Sequence, residues 1–128
     1  MMSLRVCLKI GVAILLLEFA GCQSRSEHAT ETSGEAHYIL IAALEAWKDG
    51  KPNSLADRKP AIRFVDEDQK SGLQLVDYEF ENEGAEIRPF QNVPINLMLK
   101  DPQGQLIDKA VTYQVTVEPG RSVLRSDQ

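Results

Sequence analysis

The sequence predicts one small α+β domain, with an N-terminal helix packed on a curved antiparallel sheet of four to five strands. Three observations predict it. A single amphipathic helical run, residues 36–49, stands ahead of every β-rich segment. The later segments alternate apolar and polar residues at period two, separated by turns that contain Gly or Pro. One helix followed by strands in hairpin order places the helix on one face of an antiparallel sheet.

Each element has its own warrant. Thr32-Ser33-Gly34-Glu35 carries the hydroxyl and the carboxylate three residues on that make a capping box. Ile41, Leu44 and Trp47, with Leu40 and Ala43, fall on one helix face, while His37, Glu45, Lys48 and Asp49 fall mostly on the other. Gly50 supplies a left-handed stop and Pro52 prevents continuation. Leu55 is the apolar hook of the loop that follows. Ala61–Val65 reads as a short strand and Asp66–Gly72 as a turn. In Leu73–Glu81, Val76, Tyr78 and Phe80 face inward and Asp77, Glu79 and Glu81 outward. Pro89 confines the next run to an edge or a loop. Val93–Lys100 is a strand, Asp101-Pro102-Gln103-Gly104 a turn with Pro second and Gly fourth. Gln105–Val117 is longer than strands usually are, which a strand bent around the helix would explain. Pro119-Gly120 turns the chain, and Ser122–Arg125 adds a last short strand.

The first 32 residues carry a different signal. Arg5 and Lys9 precede an uncharged apolar run, Ile10–Leu17, which ends at Glu18. A basic start, a short apolar run and small residues at a cut site make a secretory signal peptide, here residues 1–21. Eight apolar residues fall far short of the about 20 that a spanning helix needs. Residues 22–32 contain almost nothing to bury and read as a tether, so residues 33–128 form the domain. Removing residues 1–21 takes away two cations and one anion, which makes a net charge of −5 more negative still. No basic cluster is present, and nucleic acid is not expected as a partner.

Phe19-Ala20-Gly21-Cys22 resembles the lipobox of bacterial lipoproteins, with Ala20, Gly21 and Cys22 on the pattern and Phe19 and Glu18 off it. The resemblance implies diacylglycerol on Cys22, with palmitate-type acyl chains, and a cut just before it. Cys7, the other cysteine, falls inside the removed peptide, so acylation leaves no unpaired thiol in an exported chain. Two or more acyl chains hold a protein firmly at about 0.8 kcal/mol per buried methylene. The expected location is therefore the cell membrane or outer membrane, facing outside the cytoplasm.

The helix-then-strands layout resembles the cystatin-like and NTF2-like folds, in which a curved sheet wraps a helix. Trp47 with Gly50, Gly72 before Leu75-Val76-Asp77-Tyr78, and Tyr113 with Ser122-Val123-Leu124-Arg125 resemble the small uncharacterised lipoproteins of planctomycete-type bacteria over Ala36–Asp127. That resemblance implies an exported domain and carries no catalytic motif.

The candidate sites are sparse. Asp77, Glu79 and Glu81 form a carboxylate row, with Asp66, Glu67 and Asp68 in the preceding turn. Alternate residues on a strand lie about 6.6 Å apart, too far for three carboxylates to converge on one cation, and a solvated face is expected. His28 and His37 lack the spacing and the thiolates of a zinc site. Trp47 is expected in the core. The inward sheet positions, Val76, Tyr78, Phe80, Leu97, Leu99, Val111, Tyr113 and Val115, include no group that titrates near neutral pH. Gln114–Gly120 has the letters of a cystatin inhibitory hairpin without its spacing. No catalytic residue, metal or cofactor is expected. The expected role is binding or assembly in the cell envelope, through the membrane and an envelope protein partner. The alternative is a small-molecule pocket protein or enzyme of the NTF2-like kind, which would show an open cavity between helix and sheet.

Overall fold

The computed structural model describes residues 33–127. The signal peptide, the tether with His28 and Cys22, and capping by Thr32 lie outside the described residues. Helix α1 spans residues 33–48. Its buried face is wider than the predicted stripe: Ala36, Ile39, Leu40, Ala43, Leu44 and Trp47 are all buried, as are Ala42 and Ala46. Ile41 lies at the margin of that face and is only half-buried, whereas Ile39 is fully enclosed. Each fully buried Leu or Ile contributes about 1.5–3 kcal/mol of transfer free energy, so this face is the largest single source of stability in the helix. Gly50, at a φ of 74°, ends it, in the left-handed conformation that glycine adopts without a Cβ clash. A 3-10 turn, Pro52–Asp57, then buries Leu55 as the expected hook.

Strands β1 (Ile62–Val65), β2 (Gln74–Phe80), β3 (Val93–Lys100), β4 (Leu106–Thr116) and β5 (Arg121–Arg125) form one sheet in the order β1-β5-β4-β3-β2. From β2 to β5 the chain is an antiparallel meander, as hairpin order predicts. β1 departs from that prediction. It pairs parallel with β5, Ile62 opposite Arg121 and Val65 opposite Leu124, so the sheet is mixed. The reason lies in the connection. β1 and β2 are neighbours in sequence but lie on opposite edges of the sheet, joined only by residues 66–73. Flat, five strands would set those edges about 19 Å apart. A connection that includes a helical turn reaches about that far only at full stretch, so the sheet curls into a half-barrel.

The turn predicted at Asp66–Gly72 holds a one-turn helix, α2 (Glu67–Lys70). Asp66 caps it, its Oδ1 accepting from the N–H groups of Asp68 at 2.8 Å and Gln69 at 3.0 Å. β2 also differs in detail. Its register against β3 shifts between Leu75 and Asp77, and the bulge puts one extra residue into the strand. Leu75, opposite Leu99, and Tyr78, opposite Leu97, both face the core as a result, while Val76 at the bulge stays half-exposed. The core joins α1 to Leu75, Ile95, Leu97, Leu99, Val111, Tyr113, Val115 and Val123. Trp47 is 3% exposed, and its indole Nε1 donates to the Leu73 carbonyl at 2.9 Å. A buried Trp with its N–H satisfied is a core residue, as the sequence implied.

Candidate functional site

Two clusters of ionisable side chains stand out among the described residues, one buried and one open. The buried one corrects the expectation that the Asp66–Asp68 turn is solvated. Asp66 is 0% exposed. Its Oδ2 accepts from the Tyr113 hydroxyl at 2.5 Å and from Nη1 of Arg125 at 3.1 Å. The same Nη1 donates to Oδ2 of Asp68 at 2.9 Å, and Nε of Arg125 donates to Asp127 at 2.5 Å. Lys109 closes the chain with its Nζ 3.0 Å from Asp68. One arginine, 1% exposed in its side chain, thus serves three carboxylates drawn from the α2 connection and from the segment after β5.

The placement follows from strand parity. Arg125 falls on the same face of β5 as Val123, and Lys109 on the same face of β4 as Val111 and Tyr113. All point to the inner side of the curl, where α2 crosses. The electrostatics are mutual. Burial works against the Arg125 cation, but Asp127, Asp68 and Asp66 outweigh it and hold its pKa above the ordinary guanidinium value. Burial likewise opposes ionised Asp68, yet hydrogen bonds from Lys109 and Arg125 leave its pKa below the usual carboxyl value. Asp127 is lowered in the same way, burial opposing and Arg125 and the Thr112 N–H prevailing. Burial, then Asp66, raises the Tyr113 hydroxyl far above its usual value. No buried side-chain polar atom among the described residues lacks a partner. The cluster ties the α2 connection to β4, to β5 and to the segment after β5, so it acts as a lock on the fold.

The open cluster lies on the sheet's outer face. Cross-strand rows place Glu79, Asn96 and Ala110 side by side, and Asp77, Met98 and Asp108 beside them. They line an open trough of about 400 Å³. Asp77 and Glu79 are exposed, as expected, while Glu81 falls just past the end of β2. Lys48 lies 3.8 Å from Asp77, and Lys109, whose Nζ pairs with Asp68, is also among the lining residues. No group of three His, Cys, Asp or Glu side chains among the described residues could hold a metal ion. What such a trough can do is attract cationic groups, while the exposed Met98 at its floor offers apolar contact to the stem of a lysine or arginine.

His37 is exposed and stacks on Phe80 at 5.6 Å, with no carboxylate among its described contacts that would orient it as a base. Tyr78 donates to Glu45 at 2.7 Å. Burial and that carboxylate raise its pKa well above the ordinary phenol value. Sequence reasoning missed the Asp66–Arg125 lock. Two signals pointed to it: Asp66 followed three residues later by Gln69, the outline of a capped helix start, and Arg125 two residues after Val123 on one strand face. Asp108, the third acid of the trough, was missed because it reaches the other two only through the β3 register. Compared with protein-family models, curated proteins and solved structures, the chain has no match.

Proposed function

We propose that this domain is a binding or assembly module of the bacterial cell envelope, anchored outside the cytoplasm by diacylglycerol on Cys22, and that it is not an enzyme. In this reading it is built on a cystatin-like or NTF2-like plan and is akin to the small lipoproteins of planctomycete-type bacteria. The observation that carries the reading is the filled interior. Between α1 and the sheet, apolar side chains occupy the space that an NTF2-like pocket protein would leave open. Asp66 is the interior carboxylate that such an enzyme would use, and both its oxygens are taken by backbone N–H groups, Tyr113 and Arg125. The outer face carries an open trough suited to a surface partner. No helix among the described residues is long and apolar enough to cross a membrane, so the proposed attachment rests on Cys22.

The test is intact-mass analysis of the full-length protein made in a bacterial host, beside Cys22→Ser. The wild type should start at Cys22, carry lipid and partition into detergent. Cys22→Ser should remain an uncut precursor. A lipid-free mature protein, or a cut that Cys22→Ser does not disturb, refutes the anchor. Native mass spectrometry tests the module reading. A stoichiometric small molecule held by the purified protein would favour the pocket alternative.

A further inference from the structure

A strand that lacks a neighbour presents unpaired N–H and C=O groups, and folded proteins ordinarily blunt such edges. Two of the free edges here are blunted. β1 is four residues long and follows Pro60. β2 carries the bulge at Leu75/Asp77, and its Tyr78 N–H is capped by the Asp77 carboxylate at 2.9 Å. The third free edge lies inside the sheet order. β4 runs from Leu106 to Thr116, but β5 pairs with it only over Tyr113–Thr116. Thr112 closes the paired part, its C=O accepting from the Ser126 N–H and its N–H bonded to Asp127.

The open stretch has a defined polarity. Backbone groups of successive residues point to opposite sides of a strand, so those of alternate residues point the same way. Thr112 points toward β5, so Leu106, Asp108 and Ala110 point the same way, where no described strand pairs with them. The register against β3 is unbroken over Leu106–Tyr113, and every residue from Leu106 to Ala110 is exposed. Five residues is an ordinary strand length. The acidic trough lies directly beside this edge, with Asp108 and Ala110 belonging to both.

We infer that the edge of β4 at Leu106–Ala110 receives an extended, lysine- or arginine-bearing segment of a partner protein as an added strand, with a basic side chain beside Asp108 and the carboxylates of Asp77 and Glu79 adding to the field from two strands further across the sheet. The inference rests on the binding-module reading and names the surface and the partner chemistry. Strand addition takes affinity from main-chain hydrogen bonds and selectivity from alternate side chains. A second copy of this chain fits the edge poorly. An antiparallel pairing centred on Asp108 sets Asp108 against Asp108, and one centred on Lys109 sets Lys109 against Lys109. Like charges directly opposite are destabilising. Centring on Ile107 runs Ala110 into the Asp101–Gly104 turn. The net charge of −5 adds to that repulsion and favours a basic partner.

The experiment uses the full-length protein in detergent with two capped heptapeptides, one alternating Lys and Val, the other Glu and Val, followed by calorimetry and residue-resolved amide exchange. The Lys peptide should bind and slow exchange at Asp108 and Ala110, leaving Lys109, whose N–H already faces β3, unchanged. Ala110→Pro removes one edge donor without touching the β3 ladder and should weaken binding about tenfold or more. If that variant does not fold, Asp108→Lys should weaken the Lys peptide by a similar factor, since Asp108 is the acid of the trough that lies on β4 itself. Equal binding of the Glu peptide overturns the partner chemistry. Binding that Ala110→Pro leaves unchanged and that protects no edge amide overturns strand addition in favour of loose charge attraction. Edge protection that grows with protein concentration and no peptide means a second copy, and no binding of either peptide also overturns the inference. A native partner captured on another surface would overturn this inference while leaving the module reading intact.

Discussion

Arg125→Leu is the most informative single change in the domain. The guanidinium is enclosed and serves Asp66, Asp68 and Asp127. Leucine fills part of the volume but leaves the fully buried Asp66 with only the Tyr113 hydroxyl and two backbone N–H groups. Removing one partner of a buried pair costs about 3–5 kcal/mol, because the remaining charge stays desolvated. With a urea slope of about 1–3 kcal/mol per molar, the unfolding midpoint should fall by about 2 M. Two companion variants grade the effect. Tyr113→Phe removes one hydrogen bond to a charged acceptor and should cost about 1.5–3 kcal/mol. Lys109→Met breaks a pair whose cation is 44% exposed in its side chain and should cost under about 1 kcal/mol. Asp66→Asn combined with Arg125→Leu should cost less than the sum of the two single changes, since each single change leaves the other buried group without its partner and the double change does not. The assay is urea unfolding of a soluble chain beginning at Ser24, followed by circular dichroism. A loss below about 1 kcal/mol for Arg125→Leu, or a Lys109→Met effect as large, would refute the buried lock.

Trp47→Ala truncates a ring packed near Phe64 and bonded to Leu73, and should cost about 3–5 kcal/mol in the same assay; a loss under about 1 kcal/mol with the fold intact would place the ring at the surface. Stability should be flat near neutral pH and fall on both sides. Asp68 and Asp127 have folded pKa values below the ordinary 3.8, so their contribution is complete above that value and is lost as acid protonates them below it. Tyr113 and Tyr78 are raised above the ordinary 10, so their contribution is complete below pH 10 and is lost as the unfolded chain ionises above it. Thermal unfolding across pH checks both arms, and in Tyr113→Phe the alkaline fall should shrink.

The parts of the fold that rest on local chemistry were legible in the sequence. The helix end at Gly50, the hook at Leu55, the Asp101–Gly104 turn and the strand at Val93–Lys100 each follow from the residues that make them. The parts that rest on distant pairing were not. Nothing near Ile62 says that its neighbour is Arg121, so hairpin order suggested an all-antiparallel sheet. Period-two alternation placed Val76 inward because a bulge changes the phase of a strand without changing its composition. Asp66 looked like a turn acid because its partner Arg125 lies 59 residues away. The length of β4 was legible and so was the curl of the sheet, but the stretch of β4 that runs past β5 as an edge with no described strand partner was not.

The parallel pairing of β1 with β5 has a consequence for the order in which the domain can assemble. Contacts that close long loops form slowly, because chain entropy is spent before they give anything back. The β2–β3–β4 hairpins are local and can form as soon as their turns do. β1 cannot, since among the described residues its strand neighbour is β5. The Asp66 carboxylate likewise waits for Arg125. A polypeptide emerging from its N-terminus therefore holds β1 without its strand partner until β5 arrives, while α1 can already pack on β2–β4. Loss of Arg121–Arg125 removes both the edge partner and the lock, so the last five-residue strand decides whether the first one folds at all.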